Sequence, residues 1–181
     1  MTANTLTLAP TAKPAARQSF DISATQRAVI GVVGAGFSVA CTMAITRAIG
    51  GWAPAHPGAH DLAIMLHVSA VVPAVPLGAW LLLARKGTFR HKQLGKVWVA
   101  LMVITALSAL FIRQIIPGSF SPIHLFVPLA LNGAWQTIAT ARRGDIAAHK
   151  RALVRFYLGA LMIPGVFAFM PNRLMGTWLF G

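Results

Sequence analysis

Five long apolar runs, separated by short polar connections, set the first limit on what this chain can become. They are Ala28–Ala44, Leu62–Leu83, Leu94–Ile112, Ile123–Ala141 and Leu153–Met170. Each approaches the ~20 residues needed to cross ~30 Å of hydrocarbon. In hydrocarbon every backbone N–H and C=O must be satisfied within the protein, and unbroken apolar runs do this as helices. Only 10% of the 181 residues are charged and 56% are hydrophobic, against about a quarter charged in a soluble domain. The sequence therefore predicts an all-α membrane protein. Five transmembrane helices are expected at about 28–47, 62–84, 89–113, 122–141 and 146–170, within one membrane domain over 27–181.

Residues 1–26, rich in Ala, Thr and Pro, read as a disordered cytoplasmic tail. The first apolar run lacks a good cleavage site, so it is expected to stay as an anchor rather than leave as a signal peptide. Thr88, Ser121 and Asp145 are suited to cap helix starts, and Pro122 follows Ser121 where proline is favoured. Pro73, Pro76, Pro128 and Pro164 should kink their helices.

The net charge is +13, with 16 Lys and Arg against 3 Asp and Glu. Such a balance in a soluble chain suggests nucleic acid. Here so few charges on so apolar a chain exclude that partner. Thirteen of the sixteen basic residues fall in the tail and in the second-to-third and fourth-to-fifth connections; Arg47, Arg113 and Arg173 fall on the other side. Cytoplasmic loops carry the excess of Lys and Arg, so the N-terminus is expected inside and the C-terminus outside, with anionic lipid against the basic face. Five tryptophans, among them Trp98 and Trp135, fall near expected helix ends, as an interfacial belt would place them.

The chain carries an internal repeat. His67 precedes Ala84-Arg85-Lys86-Gly87 by 17 residues, and His124 precedes Ala141-Arg142-Arg143-Gly144 by 17. Beyond each basic turn lies His91-Lys92 or His149-Lys150, and Gly78-Ala79-Trp80 recurs as Gly133-Ala134-Trp135. This suggests helices two to five forming a four-helix bundle from a duplicated hairpin, with chance similarity in an apolar alphabet as the alternative.

A single cysteine, Cys41, excludes internal disulfides and multi-cysteine metal sites; it reads as a small apolar residue. Asp21, Asp61 and Asp145 are the only acids, which disfavours paired-carboxylate catalysis. The histidines remain. His67 and His124 share one depth toward the outer side, and His91 and His149 share another toward the cytoplasm, ~26 Å away along a helix. Each pair has the residue types to hold a haem iron axially from both faces.

From His91, the residues Gly95, Trp98, Met102 and Thr105 step along one face; from His149, Phe156, Ala160 and Phe167 do so. Arg85, Lys86, Arg90, Arg142 and Arg143 are candidates to pair with haem propionates inside, and Arg113 with the helix start at Ser121 outside. The competing reading makes the histidines interfacial side chains near lipid. His56 and His60 read as solvated loop residues, with an outer metal contact as the alternative, the glycines Gly31, Gly34 and Gly36 as packing positions, and Asn132 and Gln136 as buried amides bonding between helices or contacting a quinone.

The stretches Arg90–Val99, Ser121–Phe126 and Ala141–Arg151 resemble the hallmarks of a bacterial integral-membrane family known as domain of unknown function 2306, over most of 28–181. That resemblance implies a bacterial inner-membrane location and carries no activity. The histidine arrangement more distantly resembles the di-haem transmembrane cytochromes b. This second resemblance implies two b-type haems, ligated by His67 with His124 and His91 with His149, and electron transfer, with quinone or a redox protein as partner. The five expected helices depart from the six common in that family. The alternative reading is a haem-free accessory or assembly subunit of a larger membrane complex.

Overall fold

A computed structural model describes residues 23–113 and 119–181. Among these the regular structure is helical throughout. The helices are α1 (Ala24–Ile49), α2 (Leu62–Leu83), α3 (Phe89–Ala109), α4 (Phe126–Arg142), α5 (Ile146–Tyr157), α6 (Ile163–Ala168) and α7 (Leu174–Phe180), with short 3₁₀ turns at Pro57–His60 and Pro122–Leu125. Four stretches are long and apolar enough to cross a membrane: α1, α2, α3 and the stretch Ile146–Ala168. The expected tail up to residue 22 lies outside the described residues.

Helix starts follow the capping chemistry. Ser23 accepts from the Gln26 N–H and Gln26 returns the bond, so α1 begins at Ala24, inside the region expected to be tail. Asp61 accepts from Ala63 and Ile64, Thr88 from His91 and Asp145 from Ala148. Glycines in the left-handed region, Gly87 (φ 86°) and Gly144 (φ 68°), close the two basic turns of the repeat.

The fifth apolar run is not one regular helix. Pro164 has no N–H to offer the carbonyl four residues back. The chain absorbs this in a π turn over Leu158–Met162, where the Ile163 N–H reaches back five residues to Leu158, before α6 continues. After α6 the chain reverses, with Asn172 at φ 63°, and α7 runs back along α1. No helix is expected there from the sequence, whose fifth helix was extended to 170. The third helix likewise ends at Ala109, short of 113.

Packing runs mainly α2 on α3, α4 on α5, α1 on α2 and α7, and α3 on α4. Helices in lipid gain little from the hydrophobic effect and rely on close approach at small residues. The Gly-Ala-Trp repeat supplies this. A Cβ on Gly78 would lie 2.6 Å from Tyr157 Cδ2 and 2.7 Å from Trp98 Nε1, and one on Gly133 would lie 2.7 Å from Phe156 Cδ2. These notches seat an aromatic layer in which Trp98 and Phe156 meet edge to face at 4.9 Å. Trp98 Nε1 donates to the Ala74 carbonyl (2.9 Å) and the Tyr157 hydroxyl to that of Val75 (3.1 Å). Trp98 is thus fully buried and not part of an interfacial belt, whereas Trp52, Trp80 and Trp135 are exposed.

The two basic-rich turns and the start of α1 share one end: Arg27 donates to the Leu83 carbonyl at the close of α2. At the opposite end Arg47 donates to the carbonyls of Trp178 (2.9 Å), Trp52 (3.3 Å) and Gly181, and so holds α7 against α1.

Candidate cofactor site

Four of the six histidines lie at two levels, one pair in ring contact and one pair lining a common cavity. At the basic end His91 opens α3 and His149 opens α5, and their rings lie 6.2 Å apart at 83°. His149 Nδ1 donates to the Thr137 carbonyl on α4 at 3.1 Å. That bond fixes the tautomer and leaves Nε2 with its lone pair. His91 is buried, and its Nδ1 has no partner.

At the other level His67 of α2 donates through Nδ1 to the Thr105 carbonyl on α3 (2.9 Å), with Ser108 Oγ at 3.3 Å. Its Nε2 is again the free nitrogen. His124 sits in the 3₁₀ turn that leads into α4. Its Nδ1 lies 3.0 Å from the Ser121 N–H and 3.1 Å from the Ser121 carbonyl. Accepting from the first puts the proton on Nε2; donating to the second leaves Nε2 a lone pair. Either way Nε2 is buried and unpartnered. In either tautomer Ser121 is the partner of His124 Nδ1, so the helix start expected to receive a propionate is engaged by the histidine.

Both His67 and His124 line one cavity of about 230 Å³ between α2, α3, α4 and the π turn. Its walls are mostly apolar, with Met102, Val127 and Leu161 among them. Arg173, set at the start of α7 by the chain reversal, also lines it. Arg113 instead lies over the Phe120 ring at 4.8 Å, and Phe120 packs edge-on against His124 at 5.0 Å. Arg85, Arg90, Arg142 and Arg143 are exposed at the basic end near His91 and His149, while Lys86 donates to the Leu82 carbonyl.

Of the faces expected beside the histidines, Trp98, Met102, Thr105, Phe156 and Ala160 are buried and Gly95 is partly so. Phe167 is 42% exposed, because the π turn adds a residue and rotates the helix beyond it. Asn132 and Gln136, expected as buried amides, are exposed: α4 turns Ala134, Thr137 and Thr140 inward instead, since small residues allow the closest approach. His56 accepts the Gly58 N–H in its own loop and His60 is exposed. Thr137 and Arg173 are the site residues that sequence reasoning missed. The i, i+4 and capping patterns point to neither, since each is placed by a contact between distant segments.

Among the described residues, four side-chain polar atoms are buried without a partner: His91 Nδ1, Thr105 Oγ1, His124 Nε2 and Thr137 Oγ1. All four fall at the histidine levels, two at each. No group of three or more His, Cys, Asp or Glu is close enough there to hold a metal ion, so any metal must bring most of its own ligands. A porphyrin iron does, needing only two from the protein.

No curated protein and no solved structure matches the chain. Residues 64–178 match the family described as "Predicted membrane protein (DUF2306)", and the chain belongs to that family.

Proposed function

We propose that the chain is a five-span electron-transfer protein of the bacterial inner membrane that holds two b-type haems, one at each histidine level. The observation that carries this reading is the placement of the four unpartnered buried atoms. A buried polar group without a hydrogen bond is costly, and such orphans are few in folded proteins. Their confinement to the two histidine levels favours sites completed by a ligand. His91 and His149 lie close together at the inner level, with ring centroids 6.2 Å apart, and would be the residues to hold the group there.

The fifth span is supplied by α4. With the 3₁₀ turn before it, the stretch reaches about 33 Å, enough for ~30 Å of hydrocarbon. The N-terminus then lies in the cytoplasm, with anionic lipid at the basic turns.

A bound haem with both axial positions taken supplies one-electron transfer and no open position for oxygen. His67 and His124 would hold the outer group, and His91 and His149 the inner. Thr105 and Thr137 orient two of these rings through their carbonyls. The apolar walls of the outer cavity exclude water, and Arg173 at its edge is placed to pair with a carboxylate. Arg85, Arg142 and Arg143 offer the same charge at the inner level. Quinol in the bilayer is a suitable electron donor for such a site.

The test is a reduced-minus-oxidised visible spectrum of protein purified after expression with haem supplied. Two haems per chain are expected, with one lost in His67→Ala or His124→Ala and the other in His91→Ala or His149→Ala. A colourless, folded protein would overturn the reading and favour an accessory subunit.

A further inference from the structure

The exposed side of α4, with its flanking residues, carries a stripe that the described chain leaves open except at the half-buried Ala139. Leu125, Leu129, Asn132, Gln136, Ala139 and Arg143 follow at steps of four and three, the spacing of a seam that faces another helix. Leu125 is 73% and Leu129 47% exposed, Trp135 beside them is 67% exposed, and both amides are exposed.

Several hydroxyls on the other helices satisfy themselves: the part-buried Ser38 donates to Gly34 at 2.7 Å, and the exposed Thr42 and Ser69 donate to Ser38 at 2.8 Å and to Met65 at 2.7 Å, each four residues back. A carboxamide has two N–H donors and an acceptor, and one such bond cannot satisfy it. Among the described residues, Asn132 and Gln136 find no side-chain hydrogen-bond partner. If α4 is the fifth span, as the functional reading has it, both amides lie near its middle, where water is absent.

We propose that a second copy of this chain packs its α4 in parallel against this one, with the two amides of each copy bonding across a twofold axis along the membrane normal. The chemistry selects a second copy. A carboxamide is donor and acceptor at once, so the stripe is complementary to itself. A parallel copy brings the same amides to the same depth. The one charge on the stripe, Arg143, sits at the aqueous end, where it can turn toward water or lipid phosphate. Leu125 and Leu129 give the seam apolar packing at the other end, and the contact is closed and isologous.

The experiment uses the full chain, labelled with donor or acceptor dye, in phosphatidylcholine–phosphatidylglycerol vesicles at falling protein-to-lipid ratio. Energy transfer from a dimer is expected for the wild-type chain. Replacing both amides by leucine, Asn132→Leu with Gln136→Leu, should raise the dissociation constant about tenfold or more. The change suits a lipid-facing surface, and circular dichroism checks the fold. A Leu129→Cys variant with Cys41→Ala should cross-link to itself under mild oxidation. A monomeric wild-type chain at every ratio, an unchanged double variant, or absence of the cross-link would overturn the proposal; association only with other proteins would appear as the first of these. Rapid labelling of Gln136→Cys by a membrane-impermeant maleimide would show α4 in water and overturn the fifth span as well. None of these readouts depends on haem.

Discussion

Replacing Gly78 by alanine tests the packing of the whole bundle. The new methyl would sit 2.6 Å from Tyr157 Cδ2 and 2.7 Å from Trp98 Nε1. Comfortable carbon contacts lie at about 3.5–4.0 Å, so both rings must retreat by about 1 Å. Neither can swing into lipid, because both are fully buried. Retreat also stretches the bonds to the Ala74 and Val75 carbonyls, each worth about 0.5–1.5 kcal/mol. Overpacking typically costs about 1–3 kcal/mol. Against this, alanine gains about 1 kcal/mol over glycine in a helix interior. The net expectation is a loss of about 1–3 kcal/mol once the strained bonds are included. Gly31 and Gly36 provide the internal control, since a Cβ there meets nothing within 4 Å. Their alanine variants should be neutral or more stable. Reversible unfolding in mixed micelles, followed by tryptophan fluorescence, measures all three. A Gly78→Ala protein as stable as wild type, or a Gly31→Ala protein equally weakened, would refute the notch.

Two further perturbations address the end opposite the basic turns. Arg47→Ala removes the donor to three carbonyls, so hydrogen exchange over residues 174–180 should accelerate while that of α3 is unchanged; equal protection would show that α7 holds itself in place. On the proposed haem reading, the cavity lined by His67 and His124 should favour haem over its propionate dimethyl ester in an absorption titration, Arg173→Gln should abolish that preference, and Arg173→Lys should restore it. Persistent discrimination in the glutamine variant would assign the carboxylate elsewhere.

What the sequence could reveal follows from which forces act locally. Length and hydropathy are local, so α1, α2, α3 and the stretch Ile146–Ala168 were readable, as were Thr88 and Asp145 as caps. The burial of Trp98 was not. It is set by a contact between helices, the Gly78 notch and the bond to the Ala74 carbonyl on α2, which spacing along α3 does not reveal. Asn132 and Gln136 were misplaced because helical spacing gives a face and not its direction. Which face turns inward on α4 was decided by Phe156 seating on Gly133 and by the small residues beside it. The repeat's spacing matches the approach of the His91 and His149 rings, whereas His67 and His124 share only the lining of one cavity. The threonine carbonyl partners of His67 and His149 were not legible, since those contacts join different helices.

The same helices that carry the histidines carry the aromatic layer between the two levels. Thr105 lies two turns beyond Trp98 on α3, and Phe156 and Tyr157 lie two turns beyond His149 on α5. The closeness of α2 to α3 at Gly78 therefore governs whether His67 can reach the Thr105 carbonyl at 2.9 Å. A methyl at Gly78 that separates these helices should lengthen that bond and free the His67 ring to rotate. Stability and ligand retention at the outer level should then fall together in Gly78→Ala. The inner level, oriented by Thr137 on α4, should be spared. Loss of both levels in equal measure would mean that the bundle fails as a unit and that the two sites are not separately supported.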